Sequence, residues 1–118
     1  NAASAWSAAS PAPEVVLVHD RAQAEGIIQS AQRRAVQLTV LHGHDHVAAV
    51  KSEGTVHLID GGSAGASGVE RLGRDPDTPY TFQLVEYSVG PDATRPVSVT
   101  TFSYSGNGSS QAQYQPLG

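Results

Sequence analysis

The stretch LTVLHGHDH, residues 38–46, carries the strongest structural signal in this chain. Its first four residues form an apolar run of the kind that makes a buried strand. The five that follow place three histidines around Gly43 and Asp45. Neutral histidine is a common ligand for transition metals, and Gly43 is expected to let the backbone turn sharply where a Cβ would obstruct. The stretch therefore predicts a strand whose end delivers metal-binding side chains.

A second apolar run upstream ends in the same way, in the sequence VVLVHD of residues 15–20. Val15–Val18 predicts a strand buried on both faces, His19 follows it, and Asp20 is a good N-cap for a helix. Residues 21–35 have apolar side chains at helical spacing, at Ala24, Ile27, Ile28, Ala31 and Ala35. A strand–helix–strand unit of this kind is parallel, so both strands end at the same edge of the sheet. The topology therefore predicts that His19 lies beside the histidines of residues 42–46.

The rest of the chain has the patterns of antiparallel β-structure. Residues 47–50 and 55–59 predict a hairpin, residues 61–68 a glycine-rich loop, and residues 69–79 an irregular loop. Alternating residues predict strands over 80–89 and 96–104, and the tail adds one short strand or stays loose. We therefore predict an α/β (α+β-like) fold, in which the strand–helix–strand unit precedes a mostly antiparallel portion.

Three segments are expected along the chain. Residues 1–14 are rich in Ala, Ser and Pro, which indicates a linker or lead-in segment. Trp6 is the exception there, and we expect its side chain to dock on this domain or on a partner. Residues 15–105 form the folded domain, and residues 106–118 form a turn and a C-terminal tail.

Composition excludes several classes of function. The 118 residues carry a net charge of −4 with Lys51 as the single lysine, which argues against a nucleic-acid partner because phosphate binding needs clustered cations. The absence of cysteine removes disulfides, thiolate metal sites and cysteine nucleophiles. No apolar run approaches the roughly 20 residues of a membrane span.

The histidines divide into those with a candidate role and those without. In an extended segment His44 and His46 point to the same side, so each could hold one member of a metal pair about 3.5–4 Å apart. His19 is the predicted third ligand. His42 either supports the metal ligands without binding the metal itself or forms a hydrogen bond with the backbone at the strand end. His57 is predicted to be a surface or cross-strand residue.

The sequence DGGS, residues 60–63, is a weaker candidate. A strand that runs into a glycine-rich loop can bring backbone amides close to a phosphate. No Gly-Lys-Ser/Thr motif accompanies it, so a flexible turn is the favoured interpretation.

Taken together, these motifs resemble the C-terminal half of calcineurin-like metallophosphoesterases. That family has a strand followed by histidine, a helix, and a strand that runs into Gly-His-x-His, which here are residues 15–19 and 41–46. Residues 58–63, LIDGGS, are similar to the strand and Gly-Ser turn that follow in the family. The resemblance covers about residues 15–63 and implies half of a four-layer sandwich with two packed sheets.

The resemblance also implies a two-metal site. His19 and His44 would bind one divalent metal and His46 the other, the metals being two of Mn, Fe or Zn bridged by a hydroxide that attacks a phosphate ester. The residues that would support the ligands or face the substrate are His42, Asp45, Asp20, Gly62 and Ser63.

The family's N-terminal motifs are missing from this chain. There is no Asp-x-His, no Gly-Asp-x-x-Asp and no Gly-Asn-His. Three neutral imidazoles cannot balance two divalent cations, so we expect these residues to be part of a larger phosphoesterase and to be inactive alone. The expected partners are a phosphoester or other small-molecule substrate, the N-terminal half of the same domain, and a second copy through exposed apolar surface.

Two other hypotheses remain open from sequence. The chain could be a stand-alone module that binds a metal or another ligand through His42, His44 and His46. It could equally be a structural β-rich domain whose histidines have no chemical role. Tight metal binding by the chain alone would favour the stand-alone module, whereas weak binding would favour an incomplete phosphoesterase centre.

Overall fold

A computed structural model describes residues 2–9, 14–45, 47–62, 80–91, 94–105 and 108–117. His46 and Ser63, two of the candidate site residues, lie outside this part of the chain, as do the predicted loop at 69–79 and most of the glycine-rich loop. The elements in chain order are α1 (Ala2–Ala8), β1 (Val15–Leu17), a 3-10 turn (Arg21–Ala24), α2 (Glu25–Arg34), β2 (Leu38–His42), β3 (Ala48–Glu53), β4 (Val56–Gly61), β5 (Tyr80–Val89), β6 (Thr94–Tyr104) and β7 (Ser110–Pro116).

The strands form two sheets. The first sheet has the order β1-β2-β4-β3, in which β1, β2 and β4 are parallel and β3 is antiparallel to β4. The second sheet, β5-β6-β7, is antiparallel throughout. The predicted strand–helix–strand unit and hairpin are therefore confirmed, and the tail adds a strand.

The helices cover one face of the first sheet. The apolar stripe of α2 supplies Ile28, which is 1% exposed, against Val40 and Leu58 of the sheet. The buried cluster consists of Trp6, Ala24, Ile27, Ile28, Ala31, Leu38, Val40, Val56 and Leu58. Burial of this apolar surface is the main stabilising contribution in such a domain.

Part of the N-terminal segment is helical and docks on the domain. It contains the helix α1, whose Trp6 is 5% exposed and packs in the same core, with the Arg34 guanidinium 5.5 Å from the centre of its rings. The docking expected for Trp6 is thus confirmed on its own domain. The Ala- and Ser-rich composition suggested a linker because it carries little apolar surface apart from this one large side chain.

The helix after β1 begins as predicted at Asp20. The Asp20 carboxylate accepts a hydrogen bond from the Ala22 amide at 3.1 Å, and the Gln23 side chain accepts one from the Asp20 amide at 3.0 Å. The first turn is a 3-10 turn, and α2 ends at Ala35 in the left-handed conformation. No helix in the part of the chain that the structure describes is long and apolar enough to cross a membrane.

The expectation that the first strand is buried on both faces is wrong. Leu17 is 77% exposed, although Val15 and Val16 are half-buried. Among the described strands β1 pairs only with β2, so it lies at an edge of the sheet. An apolar run indicates that a strand can be buried. Whether its side chains are buried depends on which strands and helices pack against it.

The second sheet packs against the end of β4. The Thr81 hydroxyl donates to the Gly61 carbonyl at 3.2 Å, and the Gln83 amide donates to the Asp60 carbonyl at 3.1 Å. Val99 of β6 is fully buried. These contacts hold the carboxyl end of β4 in a defined position.

One buried hydroxyl predicts a stabilising substitution. The Thr55 hydroxyl is buried and has no hydrogen-bond partner among the described residues. Replacing Thr55 with valine is therefore expected to raise the free energy of unfolding by about 1 kcal/mol, measured by urea denaturation. The Thr101 hydroxyl donates to Gln83, so Thr101→Val should lower stability by about 1 kcal/mol and serves as the control. Equal effects of the two substitutions would contradict this account.

Candidate metal centre at the strand ends

The carboxyl ends of β1 and β2 bring two of the predicted histidines together. The strands are parallel neighbours with Leu17 opposite Leu41, and the pairing continues past their ends. The Val18 amide donates to the Leu41 carbonyl at 3.1 Å, and the Gly43 amide donates to the His19 carbonyl at 2.9 Å. The backbone after each strand is thus held at the same edge of the sheet.

The rings of His19 and His44 meet at this edge. His19 Nε2 lies 3.2 Å from His44 Nδ1, and the ring centres are 5.1 Å apart at an angle of 79°. Metal–imidazole bonds of about 2.0–2.1 Å at a tetrahedral angle separate two ligand nitrogens by about 3.3 Å. The observed separation is that of a hydrogen bond between the two rings, and it is also close to the spacing of two imidazoles on one cation.

The loop conformation differs from the sequence prediction at Gly43. A Cβ there would meet only the His19 carbonyl oxygen, at 3.8 Å, which is ordinary contact. The residue with left-handed backbone is His44, with φ of 81°. The expectation that Gly43 makes the sharp turn possible is thus wrong. A positive φ at a residue with a side chain costs about 1–2 kcal/mol, and such strain persists only where surrounding contacts hold it.

Asp20 faces the second nitrogen of His44. One carboxylate oxygen of Asp20 caps the following helix, and the other lies 3.8 Å from His44 Nε2. A histidine that binds a metal through one nitrogen commonly presents the other to a carboxylate, which fixes the ring orientation. At 3.8 Å, this contact is longer than a hydrogen bond and joins two partly exposed side chains.

His42 and Asp60 form a second, buried pair. Their side chains are 10% and 4% exposed, and His42 Nδ1 lies 3.8 Å from Asp60 Oδ2. His42 Nδ1 also lies 3.4 Å from the carbonyl oxygen of Gly43. The sequence placed Asp60 at the start of a turn or candidate phosphate-binding loop and gave its side chain no role. Its position directly after the buried run of β4, at the same sheet edge as the histidines, was the available signal.

The remaining candidates have separate places. Asp45 is exposed and lines a cavity of about 350 Å³ together with Lys51 and the His42–Asp60 pair. The Gly62 amide donates to the Asp60 carboxylate at 2.8 Å. His57 is remote in β4 and accepts or donates a 2.8 Å hydrogen bond with Ser52, its cross-strand neighbour. The register of β3 and β4 thus confirms its predicted cross-strand position, and burial lowers the pKa of His57.

The described residues contain no complete metal site. No group of three or more His, Asp or Glu side chains among them has the geometry to hold a metal ion. His19 and His44 thus form a pair of imidazoles that no third His, Asp or Glu among the described residues completes into a metal site. A complete two-metal centre would need further ligands.

The comparisons with known proteins concern structure. Neither a protein-family model nor a curated protein matches the chain. The structure is similar to Vps29 from Chaetomium thermophilum, with 13% sequence identity and a TM-score of 0.56, over 86% of this chain and 53% of that one. It is also similar to a double mutant of Vps29 from Entamoeba histolytica, with 20% identity and a TM-score of 0.54, over 84% of this chain and 48% of that one.

The chain has the metallophosphoesterase-like fold of Vps29. The wild-type Entamoeba histolytica Vps29 in complex with Zn²⁺ is similar as well, with 18% identity and a TM-score of 0.51, over 78% of this chain and 46% of that one. The chain therefore spans about half the length of these solved structures. The metallophosphoesterase fold, with its mixed α/β architecture and two sheets, confirms the fold class expected from sequence.

Proposed function

We propose that this chain supplies the histidine side of a divalent-metal centre in a phosphoesterase. The observation that supports this most directly is the 3.2 Å separation between His19 Nε2 and His44 Nδ1 at the carboxyl ends of two parallel strands. The metallophosphoesterase fold and the Zn²⁺ complex of the structurally similar Vps29 are consistent with it. His46 is proposed as a ligand of the second metal because of its place in the Gly-His-x-His motif.

The residues of this chain have distinct parts in that centre. His19 and His44 would hold one cation, and Asp20 would keep the His44 ring in the orientation that aims Nδ1 at His19. Two of Mn, Fe or Zn would supply Lewis-acid activation of water and of a phosphate mono- or diester. Neutral imidazoles leave the positive charge of the metals uncompensated, so the carboxylate ligands are proposed to come from polypeptide outside these residues.

The polypeptide outside these residues, which is proposed to supply the carboxylate ligands, is also proposed to cover an open apolar cavity beside the histidines. This cavity of about 490 Å³ is lined by Leu17, Leu41, Ile59, Phe82 and Val85, with His19 and His42 at its edge. Leu17 is 77% and Phe82 49% exposed. Water-exposed apolar surface of this kind favours a partner, and the chain spans only half of the similar structures. In the 118-residue chain alone, self-association is proposed to occur through this surface.

Calorimetric titration with Zn²⁺ and Mn²⁺ tests the proposal. We expect weak binding by the 118-residue chain at pH 7.5, because two imidazoles hold a cation without a charged ligand. His19→Ala and His44→Ala should each weaken Zn²⁺ binding by about tenfold or more. His57→Ala is the matched control, since it removes an imidazole from β4 that contacts neither ring, and it should leave the affinity unchanged.

The outcomes separate the proposal from its alternatives. If His44→Ala binds Zn²⁺ as well as the unchanged chain does, the proposed centre is wrong, and a structural β-rich domain becomes the better account. If the chain alone binds one Zn²⁺ tightly, a stand-alone metal module is favoured over an incomplete phosphoesterase centre.

A further inference from the structure

The structure assigns a positioning role to Asp60, which we propose holds His42 and, through it, the loop that carries His44. The inference rests on the proposed metal centre and adds a residue that lies on a third strand, β4. His42 and Asp60 are direct neighbours in the register between β2 and β4, and in a parallel sheet such neighbours project from the same face.

The burial of Asp60 calls for partners on both carboxylate oxygens. Asp60 is 3% exposed, and a buried carboxylate is destabilising unless its oxygens are paired. Oδ1 accepts a hydrogen bond from the Gly62 amide at 2.8 Å. The charged or polar group facing Oδ2 is His42 Nδ1, 3.8 Å away. His42 is thus the side-chain counterpart of this buried acid among the described residues.

The surroundings of His42 select one tautomer. Its Nδ1 faces two acceptors, the Gly43 carbonyl oxygen at 3.4 Å and the Asp60 carboxylate at 3.8 Å. The nitrogen that faces two acceptors is the one expected to carry the hydrogen, so we assign the Nδ1–H tautomer to His42. Asp60 therefore orients the ring so that Nδ1 points toward the Gly43 carbonyl.

The Gly43 peptide connects this pair to the metal-facing histidine. Its amide donates to the His19 carbonyl at 2.9 Å, while its carbonyl oxygen faces the His42 ring. The next residue, His44, has a φ of 81° and needs such restraint. Loss of the His42 orientation would release one side of this peptide and let the His44 ring move away from His19.

Asp60 is itself held firmly enough to act as the fixed point. Its backbone carbonyl accepts the Gln83 amide at 3.1 Å, and the Gln83 side-chain oxygen accepts the Thr101 hydroxyl. Both partners belong to the second sheet, on β5 and β6. The end of β4 is therefore tied to the second sheet on one side and to the histidine loop on the other.

The experiment compares Asp60→Asn, His42→Ala and the double variant in the full 118-residue chain. Asparagine keeps an oxygen for the Gly62 amide but removes the carboxylate that faces His42. We expect Asp60→Asn to weaken Zn²⁺ binding about tenfold, as loss of an outer partner does in known metal sites. In the double variant, Asp60→Asn should add nothing to the effect of His42→Ala, because Asp60 acts through that ring. Glu25→Gln is the control, since it removes the same charge from the exposed side of α2.

A spectroscopic readout accompanies the titration. The ring-nitrogen NMR signals of His42 should show the Nδ1–H tautomer in the unchanged chain and a shift toward Nε2–H in Asp60→Asn. Unchanged His42 signals and unchanged Zn²⁺ affinity in Asp60→Asn would mean that Asp60 only caps the Gly62 turn, which overturns the inference. Fully additive losses in the double variant would overturn it too. If the unchanged chain binds no Zn²⁺, the proposed metal centre fails, whereas the His42 signals still decide whether Asp60 orients that ring.

Discussion

Gly62→Ala is expected to destabilise the fold by about 3 kcal/mol or more. Gly62 has a φ of +75°, a conformation that L side chains rarely adopt. A Cβ there would overlap the Thr81 hydroxyl and come within 3.0 Å of the Ala48 backbone nitrogen. The Ala48 backbone belongs to β3 and cannot move without disturbing the hairpin. A small local shift therefore cannot relieve the steric overlap.

Chemical denaturation followed by circular dichroism measures this loss. Gly54→Ala is the matched control, because Gly54 has a φ of +64° but nothing within 4 Å of its Cβ position. It should cost only about 1 kcal/mol from backbone strain. Thr81→Ala removes the overlapping hydroxyl, so adding it to Gly62→Ala should restore part of the lost stability. Equal losses for Gly54→Ala and Gly62→Ala would refute the steric argument.

Leu58→Ala is expected to lower the free energy of unfolding by about 2–5 kcal/mol. Leu58 is 2% exposed and lies in the core between α2 and the first sheet. Truncation removes the transfer free energy of the side chain and leaves a cavity that the surrounding helix and strands fill only partly. Because small domains are stable by only about 5–15 kcal/mol, the loss should be visible as a large fall in the unfolding midpoint.

Leu17→Ala provides the comparison for this second substitution. Leu17 is also a leucine on a strand of the first sheet, but it is 77% exposed. In dilute solution, where the chain is monomeric, its truncation should change stability by no more than about 0.5 kcal/mol. At concentrations at which the chain self-associates, a larger loss at Leu17 is expected, because the proposed association covers this surface.

Much of the fold could be predicted because its signals are local. The apolar stripe of α2, the Asp20 cap and the alternation in β5 and β6 each depend on residues close together in sequence. The placement of His19 beside His44 followed from one further rule, that parallel strands joined by a helix end at the same edge. His46 and Ser63 stay predictions, since they lie outside the described residues.

The features that the sequence did not reveal depend on contacts between distant segments. Leu17 is exposed because β1 lies at an edge, and no pattern within β1 reports its neighbours. Asp60 is buried because β2 supplies His42 on one side and β5 supplies Gln83 on another. The left-handed backbone belongs to His44 and not to Gly43, and no residue pattern in the sequence indicates this.

Local residue patterns were therefore sufficient for the elements, their order and the edge at which the histidines gather. Periodicity and capping act within a few residues, where the chain's own covalent geometry already limits the alternatives. Only tertiary packing determined three features of this protein. These are the burial of individual side chains, the site of backbone strain, and the pairing of Asp60 with His42. Those outcomes depend on distances between segments that are far apart in sequence, such as the 3.8 Å between His42 and Asp60.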